Sequence, residues 1–212
     1  MDIVNPQVET YMRSMLDRYD EPILLEMEAE GRERGFPIIG RLVGVTVELL
    51  ARSIGARRVF ELGSGFGYST AFFARAVQES GGGVVHHVVW DEPMSKQARG
   101  HLDAMGFAGV VQYHVGEAIE TLRSEDGPFD LVFNDIDKHD YPASLPVIES
   151  KLRPGGVLIV DNMLWSGRIF DRSDTSADTE GVRELTRVLT TSRVWTTSVL
   201  PLRDGVILAI KQ

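Results

Sequence analysis

The alternation of apolar runs with amphipathic segments constrains the fold of this chain more than any other feature. Five strand-like runs follow one another, namely RRVFEL (57–62), VVHHVVW (84–90), VVQYHV (110–115), FDLVFND (129–135) and GVLIVDN (156–162). Helix-like segments separate them, namely YSTAFFARAVQES, SKQARGHLDAMGF, EAIETLRSE and YPASLPVIESKL. Because strands that alternate with helices pair in parallel, and apolar strands are typical of a sheet covered on both faces, the sequence predicts an α/β sandwich.

The two ends of the chain complete this prediction. After a helix-like segment, TEGVRELTRVLTTS, the runs VWTTSVLPL and GVILAIK flank an Asp-Gly pair, which favours a hairpin and so an antiparallel end to the sheet. Before the first strand, PQVETYMRSMLDRY and PILLEMEAEGRER read as short helices, and a longer helix follows from about residue 39 to 54. We therefore expect a mostly parallel sheet of seven strands, with residues 1–38 as a helical extension of the same domain as residues 39–212.

The composition narrows the class of protein. The 212 residues include no cysteine, which excludes disulfides, thiolate nucleophiles and Cys-ligated metal sites. The net charge of −9 disfavours a nucleic-acid partner, because such a partner calls for a basic face. The sequence shows no signal peptide and no apolar run near the roughly 20 residues of a membrane helix. We therefore expect a cytoplasmic protein without a membrane partner.

A glycine-rich loop joins the first strand to its helix in the segment VFELGSGFGYST. Gly63, Gly65 and Gly67 allow a ligand to approach the backbone, and the helix that follows offers free N–H groups to an anion. A dinucleotide fingerprint would place a third glycine where Tyr68 stands, and Glu61 would repel a pyrophosphate. S-adenosylmethionine (SAM) satisfies both features, because its carboxylate suits the loop and its ammonium suits Glu61. The alternative is a turn that binds no ligand.

The ends of the second and third strands lie where the adenosine part of such a cofactor would bind. Trp90 could pack against adenine, or it could be an aromatic residue of the core. Asp91 could reach a ribose hydroxyl. Glu117 could accept a hydrogen bond from the adenine amino group, or it could only be a favourable charge at the start of a helix.

Oxygen-bearing side chains follow the fourth and fifth strands, at the same predicted edge as the glycine loop. Asp135, Asp161 and Asn162 suit a hard divalent cation such as Mg²⁺, with Mn²⁺ or Ca²⁺ as alternatives. Lys138 can point into the same space, where a cation would favour loss of its proton and so suit it as a general base. The alternative is a solvated surface turn. The histidines elsewhere show no spacing typical of metal ligands; they are His86, His87, His101 and His114.

These motifs together carry a family resemblance. The order RRVFELGSGFGYST, FDLVFNDIDKHDY, LRPGGVLIVDNMLWSGRI and LPLRDGVILA resembles the class I S-adenosylmethionine-dependent O-methyltransferases of the metal-dependent catechol and caffeoyl-CoA group. The resemblance extends from about Ile39 to the C-terminus, and the N-terminal helices match only loosely. It implies a Rossmann-like class I methyltransferase sandwich and a homodimer.

The resemblance also implies roles for individual residues. The predicted cofactor contacts are Glu61, Gly63, Gly65, Gly67, Tyr68, Ser69, Trp90, Asp91, Glu117, Ala118 and Asp135. The implied metal ligands are Asp135, Asp161 and Asn162, with Lys138 as catalytic base beside Asp135. Trp165 and Arg168 would line the mouth of the substrate site. One position departs from the family: Val89 stands where an acidic residue usually holds the ribose, and valine cannot form those hydrogen bonds.

The sequence therefore predicts transfer of a methyl group from SAM to a hydroxyl of a catechol-like or hydroxycinnamoyl small molecule, with a divalent metal. Two alternatives stay open. One is a methyltransferase acting on a nucleoside hydroxyl of tRNA, which would need a basic surface around Asp135. The other is a binding protein that has kept the scaffold without the catalysis, as the departure at Val89 would allow.

Overall fold

The computed structural model describes residues 5–212 and confirms the predicted alternation. The strands are β1 (Arg58–Leu62), β2 (Val84–Val89), β3 (Val111–Val115), β4 (Phe129–Asn134), β5 (Leu152–Val160), β6 (Trp195–Leu200) and β7 (Val206–Lys211). The α-helices are α1 (Pro6–Ser14), α2 (Pro22–Arg34), α3 (Gly40–Ser53), α4 (Tyr68–Glu79), α5 (Glu92–Ala104), α6 (Ala118–Ser124), α7 (Tyr141–Lys151) and α8 (Ala177–Thr191). The first four residues of the predicted N-terminal extension lie outside the described residues.

All seven strands form one sheet in the order β3-β2-β1-β4-β5-β7-β6. The first five strands pair in parallel, and β7 pairs antiparallel with both β5 and β6. The predicted C-terminal hairpin is therefore confirmed. The chain reverses its direction of strand addition between β1 and β4, and a crevice at such a point is where open α/β sheets bind ligands.

Each face of the sheet is covered by its own hydrophobic layer. Helices α2 to α5 cover one face, where the buried side chains include Met27, Phe72 and Leu102. Helices α6 to α8 cover the other face, where Leu122 and Leu185 are buried. Burial on both faces explains why the central strands read as apolar runs rather than as alternating patterns.

Two local boundaries differ from the sequence-based expectation. Strand β5 begins at Leu152 rather than at Gly156, where the fifth strand-like run begins, so the pair Gly155-Gly156 lies inside the strand. The pairing of β4 with β5 shifts register between Phe129 and Leu131, and this irregularity accommodates the glycines. Helix α5 begins at Glu92 rather than near residue 95, because the side chain of Asp91 accepts a hydrogen bond from the backbone N–H of Met94 and caps the helix.

The N-terminal helices pack onto the sheet domain through a buried charged network. Arg41 in α3 donates two hydrogen bonds, of 3.1 Å and 2.9 Å, to the carboxylate of Glu28 in α2. The Tyr68 hydroxyl, at the start of α4, donates to the same carboxylate at 2.7 Å. This network fixes α2 above the glycine loop. Within residues 5–212, no helix has the length and apolar character needed to span a bilayer.

Candidate active site

A cleft of about 640 Å³ lies along the carboxyl ends of the parallel strands. Its volume is within the range of small-molecule sites. The cleft is lined by the glycine loop (Gly63–Phe66, Tyr68 and Ser69), the end of β2 (Val88–Asp91), the segment Gly116–Ala118, the end of β4 (Asp135–Lys138) and the end of β5 (Asp161 and Asn162). Phe36–Ile39, between α2 and α3, forms a wall that sequence analysis did not assign to the site.

The glycine loop approaches β4 so closely that a side chain at its first position is excluded. Gly63 has φ +85°, and a Cβ atom there would lie 2.5 Å from the backbone oxygen of Asp135. Gly65 also lines the cleft. Gly67, by contrast, faces α5, where an added Cβ would lie 3.1 Å from that of Ala98. Gly67 therefore serves the packing of α4 against α5, and the structure does not bring it to the cleft wall.

Glu61 is fully buried at the end of β1, directly beneath the glycine loop. Neither carboxylate oxygen has a hydrogen-bond partner of good geometry among the described residues. Burial raises the pKa of Glu61 to about 7, and the nearby hydroxyls of Ser69 and Thr70 oppose part of that effect. A buried carboxylate without a partner is costly, so this position calls for a cationic ligand group.

Tyr68 and Ser69 begin helix α4, and both line the cleft. The Tyr68 ring lies 5.4 Å from that of Phe72, and its hydroxyl is engaged by Glu28. Burial raises the pKa of the Tyr68 hydroxyl, so it remains a hydrogen-bond donor. Tyr68 therefore presents its backbone and ring to the cleft while its hydroxyl anchors α2.

The end of β2 forms the part of the cleft where adenosine was expected. Trp90 is 70% exposed and lines the cleft, so it is not an aromatic residue of the core. Val89 also lines the cleft and is almost fully buried. Asp91 lies beside them, with one carboxylate oxygen engaged in capping α5. Asp91 remains the acidic side chain nearest in sequence to Val89.

Glu117 caps helix α6 with both carboxylate oxygens. Oε1 accepts from the backbone N–H of Ile119 at 2.9 Å, and Oε2 accepts from that of Glu120 at 2.6 Å. Glu117 and Ala118 both line the cleft. The capping alternative for Glu117 is thus observed, while its contact with adenine stays a prediction.

Asp135 and Asp161 are brought together by the pairing of β4 with β5. Asn134 and Val160 are register partners at the ends of these parallel strands, and each aspartate is the next residue. The backbone N–H of Asp161 donates to the carbonyl of Asn134 at 3.2 Å, which continues the ladder to the cleft edge. The two carboxylates therefore follow adjacent strand ends, as the sequence predicts.

The electrostatics of this pair show that two negative charges share a confined space. Burial and the neighbouring Asp135 carboxylate raise the pKa of Asp161 to about 7. Burial also raises the pKa of Asp135, and the ammonium of Lys138 opposes this effect. Two carboxylates that are hard to ionise together are stabilised as anions by a divalent cation.

Asn162 is held in place by a residue that sequence analysis did not single out. Asp204, in the turn between β6 and β7, accepts a long hydrogen bond of 3.4 Å from Asn162 Nδ2 and another from the backbone N–H of Ser166. The backbone of Asn162 has φ +58°, a conformation that asparagine tolerates. With Nδ2 directed to Asp204, the Oδ1 atom of Asn162 is available to a cation. Asp204 is therefore a positioning residue, and its only signal in the sequence was the hairpin pair Asp-Gly.

Lys138 lies between the acidic pair and an aromatic wall. Its Nζ atom donates to Asp135 Oδ1 at 2.9 Å and to the carbonyl of Ile136 at 3.1 Å. The same Nζ lies 5.3 Å from the ring centre of Tyr141 and 5.7 Å from that of Trp165. Trp165 lines the cleft, and its buried Nε1 lacks an acceptor within the described chain. A substrate between Lys138 and Trp165 would thus meet the amine of Lys138 and a flat aromatic face.

Arg168 lies next to Trp165, with its guanidinium carbon 5.5 Å from the centre of the Trp165 ring. Its Nε atom donates to Asp174 Oδ2 at 2.7 Å, and its guanidinium also donates to the hydroxyl of Ser176 at 3.0 Å. Arg168 does not belong to the set of described residues that line the cleft. Arg168 thus supports Trp165 from outside the cleft lining while the acidic loop before α8 holds its guanidinium, and its contact with a substrate stays a prediction.

The residues present fit both groups that the sequence predicts. Two carboxylates and an amide oxygen are hard ligands suited to Mg²⁺. The glycine loop and the start of α4 suit a carboxylate, and unpartnered Glu61 suits an ammonium. A sheet of this strand order with these features at its switch point defines the class I methyltransferase fold.

Comparisons with known proteins carry the assignment from fold to family. The model of a family described as O-methyltransferase matches residues 19–212. The catechol O-methyltransferase of Mycobacterium tuberculosis is 33% identical, over 87% of this chain and 83% of its own. The structure of an O-methyltransferase from Bacillus cereus, in complex with SAH, superposes with a TM-score of 0.86 at 26% identity and covers 97% of both chains. TomG from Streptomyces achromogenes, in complex with SAM, has a TM-score of 0.85 at 30% identity, over 97% of this chain and 96% of its own.

The chain therefore belongs to the O-methyltransferase family, a family of S-adenosylmethionine-dependent enzymes. The resemblance predicted from the sequence is confirmed, and so is the prediction that the protein is an enzyme.

Proposed function

We propose that this enzyme transfers the methyl group of SAM to one hydroxyl of a small aromatic diol, with a divalent cation bound by Asp135, Asp161 and Asn162. The observation that carries the proposal is the pairing of Asp135 with Asp161 at adjacent strand ends, with Lys138 Nζ 2.9 Å from Asp135, in the cleft that also contains the glycine loop. Asp135, Asp161 and Asn162 would hold the cation, which would supply Lewis-acid chemistry that favours ionisation of a bound hydroxyl.

Different residues along the cleft bind the cofactor and accept the proton in the proposed reaction. Glu61 would pair with the ammonium of the cofactor, and the glycine loop and the start of α4 would bind its carboxylate. Lys138, once it has lost a proton and is a neutral amine, accepts the proton of the hydroxyl that is methylated. Because the negative oxygen and the positive sulfonium neutralise each other during transfer, catalysis here rests mainly on alignment and on exclusion of water.

The cleft lining supports a small aromatic acceptor rather than a nucleic acid. Aromatic and apolar surface comes from Trp165, Trp90 and the wall Phe36–Ile39. The acidic residues that line the cleft are Asp91, Glu117, Asp135, Asp137, Asp140, Asp161 and Asp178, against one lysine among the described lining residues. A tRNA backbone would be repelled by such a rim, so this surface weighs against the nucleoside alternative.

A screen of acceptors tests the proposed reaction. Purified protein is stripped with EDTA and then assayed with SAM and a panel of catechols and hydroxycinnamates, with and without added Mg²⁺. We expect methylated product only when the cation is restored. Full turnover after stripping would contradict the metal role, and binding of SAM without turnover of any diol would favour the non-catalytic alternative.

Replacement of Glu61 tests the site proposed for the ammonium. We expect Glu61→Gln to weaken SAM binding by at least about tenfold, because a buried charge loses its partner. The affinity of the wild type should rise as pH increases toward 7, since the cofactor requires ionised Glu61 and its pKa is about 7. The affinity should level off only above about pH 8, where Glu61 is almost fully ionised. Calorimetry between pH 5.5 and 8.5 measures both effects.

The matched control for this variant is Glu79→Gln, at the exposed end of α4. It removes the same charge without touching the cleft and should leave SAM affinity and its pH dependence unchanged. An affinity that stays pH-dependent in Glu61→Gln would show that another group binds the ammonium.

Three further expectations stay predictions. Helix α1 contains no buried residue among those described, and Tyr11 and Met15 are 65% and 54% exposed. This apolar surface would be covered by a second copy in the proposed homodimer, which light scattering can test. The second expectation is a cytoplasmic location. The third is that the divalent metal is Mg²⁺, with Mn²⁺ or Ca²⁺ as alternatives.

A further inference from the structure

A second group of potential metal ligands lies outside the cleft, on the face of the sheet covered by α6. We propose that His86, His114 and Glu125 form a binding site for a transition-metal ion of the Zn²⁺ type. One candidate donor atom from each of these residues lies within 4.8 Å of the other two. None of the three lines the proposed catalytic cleft, so this inference is independent of the proposed function.

The spacing of the donor atoms agrees with coordination of one small cation. His86 Nδ1 lies 3.1 Å from His114 Nε2 and 3.6 Å from Glu125 Oε2. The other ring nitrogen of His114, Nδ1, lies 3.7 Å from Glu125 Oε1, and a single donor atom from each residue lies within 4.8 Å of the other two. Nitrogen and oxygen ligands of tetrahedral Zn²⁺, each about 2.0 to 2.1 Å from the metal, are about 3.3 Å apart. The cluster therefore needs only small side-chain movements to enclose an ion.

The fold holds these side chains in position before any ion binds. His86 stacks on Phe60 with ring centres 5.6 Å apart, and its ring is nearly parallel to that of His114 at 5.2 Å. Glu125 follows the last residue of α6, and its backbone N–H donates to the carbonyl of Thr121. The ligands come from a central strand, an edge strand and a helix end. Such separation along the chain explains why sequence spacing gave no metal motif.

The two histidines suit a cation with nitrogen ligands, while the charges around the cluster are of both signs. Burial lowers the pKa of His86 to about 4 and also lowers that of His114, so both imidazoles are neutral at pH 7. Glu125 supplies the negative charge. Arg58 is the nearby cation that lowers the pKa of His86, and its guanidinium donates to the backbone oxygen of Asp126. Lys151 also approaches, donating to the backbone carbonyl of Glu125 at 2.6 Å.

The exposure of the cluster leaves one side open. The side chain of His86 is 3% exposed, that of His114 is 14% exposed and that of Glu125 is 26% exposed. Water can therefore complete the coordination from the outer side. An ion here would tie together β2, β3 and α6, the elements that carry Val89 and Glu117 to the cleft. We infer that it stabilises this edge of the sheet.

The test uses the full chain with Asp135→Asn and Asp161→Asn, so that the cleft carboxylates do not bind the probe. Zinc chloride is titrated by calorimetry, and Co²⁺ is added separately to record its visible spectrum. We expect one equivalent of Zn²⁺, the absorption bands of tetrahedral Co²⁺, and a higher melting temperature with either ion. Adding His114→Ala or Glu125→Gln should weaken Zn²⁺ binding on the order of 100-fold.

His139→Ala in the same background is the control, since His139 is half exposed and belongs to neither site. It should leave the titration unchanged. Glu125→Gln keeps the proposal testable even if His114→Ala fails to fold, because Glu125 lies at the surface end of α6. Absence of Zn²⁺ binding in the parent variant, or binding that Glu125→Gln leaves unchanged, would overturn the proposal. The short contact between the two histidines would then be only a hydrogen bond.

Discussion

Replacement of Lys138 by methionine should reduce the turnover of methyl transfer by about 100- to 10,000-fold, the usual contribution of a positioned general base. The affinity for SAM should stay nearly intact, because Lys138 faces the acidic pair and Trp165 rather than the glycine loop. Lys138→Arg should be almost as inactive, since arginine keeps the positive charge but does not act as a base. Steady-state kinetics with a diol acceptor and calorimetry with SAM measure these outcomes.

The matched control for this experiment is Lys96→Met on the exposed surface of α5, which should keep wild-type turnover. Comparing Lys138→Met with Lys138→Arg separates a role of Lys138 as a base from a role of its positive charge. High activity in Lys138→Arg would show that the charge alone matters. High activity in Lys138→Met would remove the proposed base altogether.

Replacement of Asp161 by asparagine should have opposite effects on activity and on stability. Turnover should fall on the order of 1,000-fold, because a metal ion contributes several kcal/mol of stabilisation to such a reaction. The metal-free variant should nevertheless melt on the order of 5 °C higher than the wild type at pH 8. The reason is that the wild type must then hold two buried carboxylates ionised side by side.

The sign of this stability effect follows from the pKa of Asp161, which is raised from 3.8 to about 7. The folded protein binds this proton more tightly than the unfolded chain does, so wild-type stability falls as pH rises from about 4 to 7. The gain in the variant should therefore be present at pH 8 and absent near pH 4. Melting curves across this range, without metal, measure it.

Added Mg²⁺ gives the complementary result. An excess of the ion should raise the melting temperature of the wild type but not that of Asp161→Asn, because only the wild type binds it tightly. Asp103→Asn, which removes one exposed charge from α5, should respond to Mg²⁺ as the wild type does. Equal stabilisation of Asp161→Asn and the wild type would place the metal elsewhere.

The sequence was sufficient to predict the fold because the apolar pattern of each segment agrees with the position of that segment in the sheet. Strands buried on both faces produce apolar runs, and the Asp-Gly turn at residues 204–205 marks the antiparallel end. The boundaries that were wrong depend on tertiary context. Gly155-Gly156 lies inside β5 because Leu152 and Val157, on either side of the pair, are both register partners of β4. A glycine pair alone contains no such information.

The acidic pair was predictable for a geometric reason. Side chains that directly follow adjacent parallel strands must meet at one edge, so Asp135 and Asp161 could be placed together without coordinates. The direction of a side chain is harder to infer. Arg168 occupies the expected loop, but Asp174 engages its guanidinium. Gly67 belongs to the glycine motif but packs against α5.

Two residues that hold predicted site residues through contacts distant in sequence, Asp204 and Glu28, were missed. Asp204, in the turn between β6 and β7, accepts a hydrogen bond from Asn162, which lies 42 positions earlier in the loop after β5. The hydrogen bond that joins Tyr68 to Glu28 spans 40 positions and fixes the N-terminal helices above the cofactor loop. No periodicity or short motif predicts these two hydrogen bonds, because Asp204 and Glu28 each resemble an ordinary turn or helix residue.

Anomalous diffraction from crystals grown with Mn²⁺ tests the central claim most directly, because it locates the cation independently of activity. We expect a strong anomalous peak within coordinating distance of Asp135, Asp161 and Asn162, and its loss in crystals of Asp161→Asn. A wild-type cleft without such a peak, in crystals where manganese is bound at other positions, would contradict the proposed metal-dependent mechanism.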